Sequence, residues 1–239
     1  MTGRRTTPQV PRVGRVLAAL SGEAPDVTDV LATLVVDCAE TCGALAVAVL
    51  VGERGPGLEL LAASSHTDLE MELWQAQHDS GPCVDAIDGS LAVHRTAVAE
   101  DARDATVGAL MREAGFLAVS AYPVTWRGVT LAGLTLFWPS EVTEEPAPAG
   151  EPGFVYADLV ALALAHPALD DPAAVRTQLR RALADRTVVE QAKGVLAWTE
   201  DLDMGGAYAR LLELTAASAG TLTEVAAAVV RHRGAPPVG

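Results

Sequence analysis

The sequence predicts an α+β protein, with an N-terminal antiparallel sheet flanked by helices and a C-terminal three-helix bundle. Three observations carry that prediction. Apolar runs at residues 45–51 and 58–64 are parted by Gly-Glu-Arg-Gly-Pro-Gly, and longer ones at 116–125 and 129–138 by a turn at Arg127-Gly128. An apolar run, a Gly-containing turn and a second apolar run make a hairpin. From about residue 175 onward the apolar positions recur every three and four residues, the period of a helix packed along one side.

Taken in order, Asp26 or Thr28 caps a helix running to about Cys42, with Val30, Leu34, Cys38 and Ala39 inward. The first hairpin follows, and then a helix over 68–77. Ser80-Gly81-Pro82-Cys83 turns into a second short helix reaching about Asp88, since proline is tolerated in a first helical turn. Residues 91–94 read as a short strand, and 106–114 as a helix stopped by Gly115. The second hairpin comes next. A Glu/Pro/Ala/Gly-rich loop over 141–153 precedes a helix over 154–165 that Pro167 ends. In the C-terminal part, Leu179, Leu183, Val189 and Leu196 mark a long first helix. A second spans about 204–217, with Ala207, Tyr208, Leu211 and Leu214 inward. The third opens on Thr221-Leu-Thr-Glu224, a capping-box pattern, and buries Leu222, Val225, Ala226 and Val229. The expected organisation is a flexible segment 1–25, an α+β domain 26–166, a linker 167–174, a helical module 175–233 and a tail 234–239.

Composition narrows the class. Half of the 239 residues are apolar, enough for a real core. No apolar run approaches the roughly 18 residues that span a bilayer, so no membrane role is expected. Three cysteines make no paired secreted framework, and the expected location is cytoplasmic. Charge is uneven: residues 1–171 carry 9 basic and 24 acidic side chains, and 172–239 carry 8 and 7. A polyanion is repelled by the first part and must meet the second.

One segment of that second part stands out, Arg186-Thr-Val-Val-Glu-Gln-Ala-Lys-Gly-Val-Leu196. Gly194 interrupts a helical pattern at a cost of about 1 kcal/mol relative to alanine. Lys193 beside it is the sole lysine of a chain with sixteen arginines. A flexible cation next to bare backbone suits close approach by a phosphate or another backbone. The alternative is a close helix crossing at Gly194 with Lys193 solvated.

Residues 186–230 resemble the ANTAR module, a three-helix RNA-binding domain of bacterial transcription antiterminators. The resemblance rests on Arg186, Val189 and Gln191-Ala-Lys-Gly-Val-Leu196. It continues through Asp203-Met, Ala207-Tyr208 and Leu211 to Leu222, Val225-Ala226 and Val229-Val230. Residues 27–166 resemble the GAF domain, a small-molecule sensing fold, on Gly81-Pro82-Cys83-Val84-Asp85-Ala86, Glu113-Ala114-Gly115-Phe116, Ala121-Tyr122-Pro123-Val124 and Ala132-Gly133-Leu134-Thr135-Leu136-Phe137. Together they look like the GAF–ANTAR architecture common in high-GC actinobacteria, which the Ala-, Val- and Arg-rich composition suits.

That resemblance implies a cytosolic regulator whose sensor domain controls an RNA-binding bundle acting by antitermination. Its partners would be stem-loops in nascent transcripts and a small-molecule ligand of the sensor. The RNA-binding residues expected are Arg180, Arg186, Gln191, Lys193 and Gly194. Trp198 and Tyr208 are the aromatics available to stack on unpaired bases, with Tyr208 at a core position. The basic surface is depleted relative to the family. Leu212-Glu213 stand where a pair of arginines is usual, Ser218-Ala219-Gly220-Thr221 where Asn and further Arg are usual, and Ala197-Trp198-Thr199 where Met-Glu-Arg is usual. Each lost phosphate contact removes a released counterion. The competing reading is therefore a bundle that has lost RNA binding and docks a protein or dimerises. A homodimer is expected from a heptad-like seam, Val175, Leu179, Ala182, Arg186, Val189, Lys193 and Leu196. Pro167 and Pro172 break the helix that would otherwise join the modules.

No catalytic constellation is visible. The five histidines are scattered, there is no HExxH or GxSxG, and no glycine-rich phosphate loop follows a strand. No enzyme activity, cofactor or metal is expected. Cys38 and Cys42, four apart on a helix, have no further ligands nearby and read as core. Cys83 begins a helix, where the dipole activates a thiol, but a buried structural role fits it as well. A sensor pocket would draw on Trp74, Cys83, Phe116 and Tyr122, with Trp126 and Trp138 near by, although aromatics in such places are more often core.

Overall fold

Asp26 accepts the amides of Thr28 and Asp29, which starts helix α1 (Val27–Cys42), and Gly43 closes it in the left-handed conformation at φ 72°. The computed structural model describes residues 26–52, 57–67, 81–96, 105–139, 152–165 and 172–232. The segment 1–25, the helix expected over 68–77 with Trp74, and the loop 141–151 lie outside them.

After α1 come β1 (Ala46–Val51) and β2 (Glu59–Ala63), α2 (Pro82–Gly89), β3 (Val93–Thr96) and α3 (Ala105–Glu113). Then follow β4 (Ala118–Trp126), β5 (Val129–Trp138), α4 (Pro152–Ala165), α5 (Pro172–Glu200), α6 (Met204–Ala216) and α7 (Leu222–Arg231). The strands form one antiparallel sheet in the order β2-β1-β5-β4-β3. Arg127 and Gly128 both take positive φ, 49° and 80°, as a two-residue hairpin turn matched to strand twist requires. The predicted fold class is the one found.

Alternation along the strands sends side chains to two layers. On one face Val47, Val49, Tyr122, Val124, Leu134 and Leu136 meet α1 and α4. Tyr156 of α4 donates to the Asp37 carboxylate of α1 at 2.6 Å, satisfying a buried acid. On the other face Ala48, Leu50, Phe116, Val119 and Phe137 meet Cys83, Val84 and Ile87 of α2 and Met111 of α3.

Helix α5 is 29 residues long, about 43 Å at 1.5 Å per residue. It begins at Pro172, so the last three residues of the expected linker are helical. Its first half joins the sheet domain: Ala182 is buried in the α1/α4 core with Leu179 and Leu183 against it, and Gln178 donates to the Ala163 carbonyl at 3.3 Å. Its second half carries Val189, Ala192 and Leu196 into a separate core with Ala207, Tyr208 and Leu211 of α6 and Leu222, Val225, Ala226 and Val229 of α7. Asp203 caps α6, and Thr221 and Glu224 make both bonds of the capping box on α7. One helix thus serves two cores.

Candidate nucleic-acid interface

The seam Val175, Leu179, Ala182, Arg186, Val189, Lys193 and Leu196 faces inward along α5, every member buried or half-buried within the chain. The seam from which a homodimer was expected is therefore occupied intramolecularly, and a dimer would have to use another face. The remaining consequence concerns the two cations on it.

Lys193 is 0% exposed, against the sequence expectation of a solvated cation. Its ammonium donates to Glu190 Oε2 at 2.7 Å and to His66 Nδ1 at 3.1 Å, and lies 5.9 Å from the centre of the Tyr208 ring. Arg186 is also buried, and its Nη2 reaches Glu190 Oε1 at 2.9 Å. Glu190 thus takes a cation four residues before it and another three after it. Burying these charges is tolerable only because each has an opposite charge in contact.

His66 belongs to the sheet domain, just beyond β2. Its Nε2 faces the Ala63 carbonyl at 3.2 Å and its ring lies 3.7 Å, centre to centre, from Tyr208. The carbonyl can only accept, so Nε2 carries the proton and Nδ1 is free to accept from Lys193. A second tether lies near by. Asp29 of α1 faces the backbone amide of Leu222 in the first turn of α7, which partly counters the burial and the neighbouring Asp26 that hold that acid's pKa above its usual value. Ala32 of α1 packs on the bundle core.

Of the five residues expected to bind RNA, the structure therefore separates two from three. Arg186 and Lys193 are enclosed in the contact between domains, whereas Arg180, Gln191 and Gly194 are exposed on the opposite side of α5. Sequence reasoning missed His66 and Glu190. The available signal was Glu190 itself, an acid spaced to pair with both Arg186 and Lys193 on one helix.

The expected sensor pocket does not assemble from its described residues. Tyr122 faces the α1/α4 layer, where it meets Phe154 edge-on, while Cys83 and Phe116 lie on the other side of the sheet. All three are buried. Burial pushes the Cys83 thiol up to about 12, the opposite of an activated thiol. Cys38 is buried with its sulfur 3.9 Å from that of Cys42, and among the described residues no group of three or more His, Cys, Asp or Glu is placed to hold a metal. Among them, too, no helix is long and apolar enough to cross a membrane.

An α+β domain and a helical bundle thus share one long helix and meet at a buried charge cluster. Residues 177–230, which hold most of α5 and all of α6, match the ANTAR domain. No curated protein matches the chain. Solved structures similar to it include the GAF domain/HD domain protein from Geobacter sulfurreducens, 14% identical, covering 63% of this chain and 99% of that one at a TM-score of 0.48. The GAF domain of an Acinetobacter phosphoenolpyruvate-protein phosphotransferase is also 14% identical, over 64% of this chain and 90% of that one, at 0.48. A type II free methionine-R-sulfoxide reductase from Thermoplasma acidophilum is 16% identical, over 57% and 90%, at 0.43.

The cluster is sensitive to pH. Burial first, then Lys193 and Arg186, lower the His66 pKa from 6.5 to about 2. Glu190 and Tyr208 face the ring as well, but the proton would arrive on the nitrogen that Lys193 occupies. The docked ring stays neutral while a released one takes up a proton below about 6.5. Stability from this contact is therefore complete above that pH and is lost as the pH falls below it, by up to about 1.4 kcal/mol per pH unit. Thermal melts between pH 7.5 and 5.5 should show this loss in the wild type and a smaller one in His66→Gln. Equal pH slopes in the two proteins would rule His66 out as its source.

Proposed function

We propose that this chain is a cytosolic transcription regulator whose GAF-like domain controls an RNA-binding ANTAR bundle, acting by antitermination on stem-loops of nascent transcripts. The observation that carries the reading is the enclosure of Arg186 and Lys193 by His66 and Glu190. One cation of the expected RNA-contacting helix, Lys193, is held by His66 of the neighbouring domain and Arg186 is buried beside it, so that separating the two domains exposes both. A ligand of the sensor domain acts by favouring the separated state, and can do so only through a difference in affinity between the two states.

Ala32→Arg, which sets a bulky cation between α1 and the bundle core, tests this. Full-length wild type and variant are titrated with RNA hairpins at two salt concentrations. The variant should bind at least about tenfold more tightly and with the steeper salt dependence, since each phosphate neutralised releases a counterion. Equal affinities would remove the control by docking.

A second reading has its own support. Lys193 has an internal role, and Arg210, half-buried on α6, is engaged by Glu200 at 3.0 Å and Glu213 at 3.2 Å. Absence of salt-sensitive binding by either protein would make the bundle a protein-docking module.

A further inference from the structure

Among the described residues nothing requires Gly194 to be glycine. Its φ is not positive, and a Cβ built on it would meet nothing within 4 Å. A helical glycine that neither relieves a clash nor allows an unusual backbone lowers helix stability for nothing inside the fold. One turn further along the same exposed face stands Trp198, 88% exposed, the most exposed large apolar side chain among the described residues. The two belong to one open groove lined by Gln191, Gly194, Val195, Trp198, Thr199 and Val230.

We propose that this groove takes one unpaired nucleobase of RNA, stacked on the Trp198 indole and lying against the bare backbone at Gly194. The inference rests on the RNA reading above and adds the site and the mode of contact. The surroundings favour a base over a second copy of the chain. Burying one tryptophan removes on the order of 200 Å² from water, whereas a stable interface needs about 800 Å² per partner. The rest of the exposed stripe is polar or small (Arg180, Ala184, Thr187 and Gln191) and offers a copy no apolar seam. A single heterocycle matches that area, with Val195 and Val230 as apolar walls. The Gln191 amide, carrying both donors and an acceptor, stands at the rim for a base edge. Arg231 follows Val230 in the last turn of α7, exposed, where it can meet the phosphate. Stacking on an aromatic tolerates any base and works where cations are few, as in this bundle. The groove is also open while Lys193 is enclosed, so the first contact with RNA does not require the domains to part.

The test uses the full chain and two RNAs with the same stem, one closed by a loop of unpaired adenines and one paired throughout. Trp198→Ala should weaken hairpin binding about tenfold or more while leaving duplex binding and oligomeric mass unchanged. Trp198→Phe should retain most of the affinity. Gly194→Leu should lose it as Trp198→Ala does, yet melt no lower than wild type, because the side chain projects into open space. Wild type that binds hairpins equally with and without Trp198 would overturn the stacking site and leave the RNA reading standing. Wild type that binds neither RNA would overturn both. A change in oligomeric mass on losing Trp198 would instead assign the face to self-association and overturn the proposal.

Discussion

Lys193→Glu is expected to destabilise the protein by about 3–5 kcal/mol, the usual effect of leaving buried charge unpaired. The new carboxylate would stand where an ammonium now lies 2.7 Å from Glu190, and would leave the His66 Nδ1 without its donor. For a chain of this size the loss corresponds to a fall in melting temperature of about 10 °C. Arg180→Glu, at an exposed position of the same helix, serves as the control and should change stability by no more than about 0.5 kcal/mol. A Lys193→Glu protein melting within a degree or two of wild type would mean that the docked contact does not form in solution. The same geometry explains why the chain's single lysine sits here. The slot holds a compact ammonium on a flexible stem between Glu190 and His66, whereas a planar guanidinium would need more room and further acceptors.

The second large effect is expected at Gly133. It lies on β5 opposite Leu50 of β1 and Pro123 of β4, and its Cα hydrogen faces α2. A Cβ there would collide with the Cys83 sulfur and come within 3.3 Å of Ile87 Cδ1. Gly133→Val should therefore cost about 3 kcal/mol through overpacking, seen as an earlier midpoint in urea. Gly133→Ala should cost less, and combining it with Cys83→Ala should recover part of that loss, since the two positions share one volume. Independent, additive effects would contradict the contact. This pairing assigns Cys83 its role: it fills the space that a glycine on the sheet leaves under α2, as one of the two alternatives read from the sequence had it.

Much of the fold was legible because it is governed locally. Arg127-Gly128 sets the long hairpin through two positive φ angles, and Asp26, Thr221 and Glu224 declare helix starts by satisfying amides that have no partner within the helix. Element boundaries shifted by up to three residues where fraying or a missing cap leaves the end loosely specified: β3 starts at Val93 rather than Leu91, α4 at Pro152 rather than Phe154, and α5 at Pro172 rather than Val175. The sensor pocket was not legible, because alternation along a strand assigns residues to opposite faces without showing which aromatics converge. Tyr122 and Phe116 proved to lie on opposite sides of the sheet.

The same limit applied to α5. Its periodicity shows one inward stripe, and the sequence by itself determined that stripe, the three helices of the bundle and the antiparallel hairpins, since each depends on residues a few positions apart. What the stripe packs against depends on residues far away in sequence, and only the tertiary structure decided it. Lys193 is buried by His66, 127 positions earlier, and Arg186 is enclosed beside it. By residue type both looked exposed, for an isolated cation in a core is prohibitively costly. The cost is met here because Glu190 pairs with both and a neutral imidazole from another domain accepts a second hydrogen bond from the Lys193 ammonium.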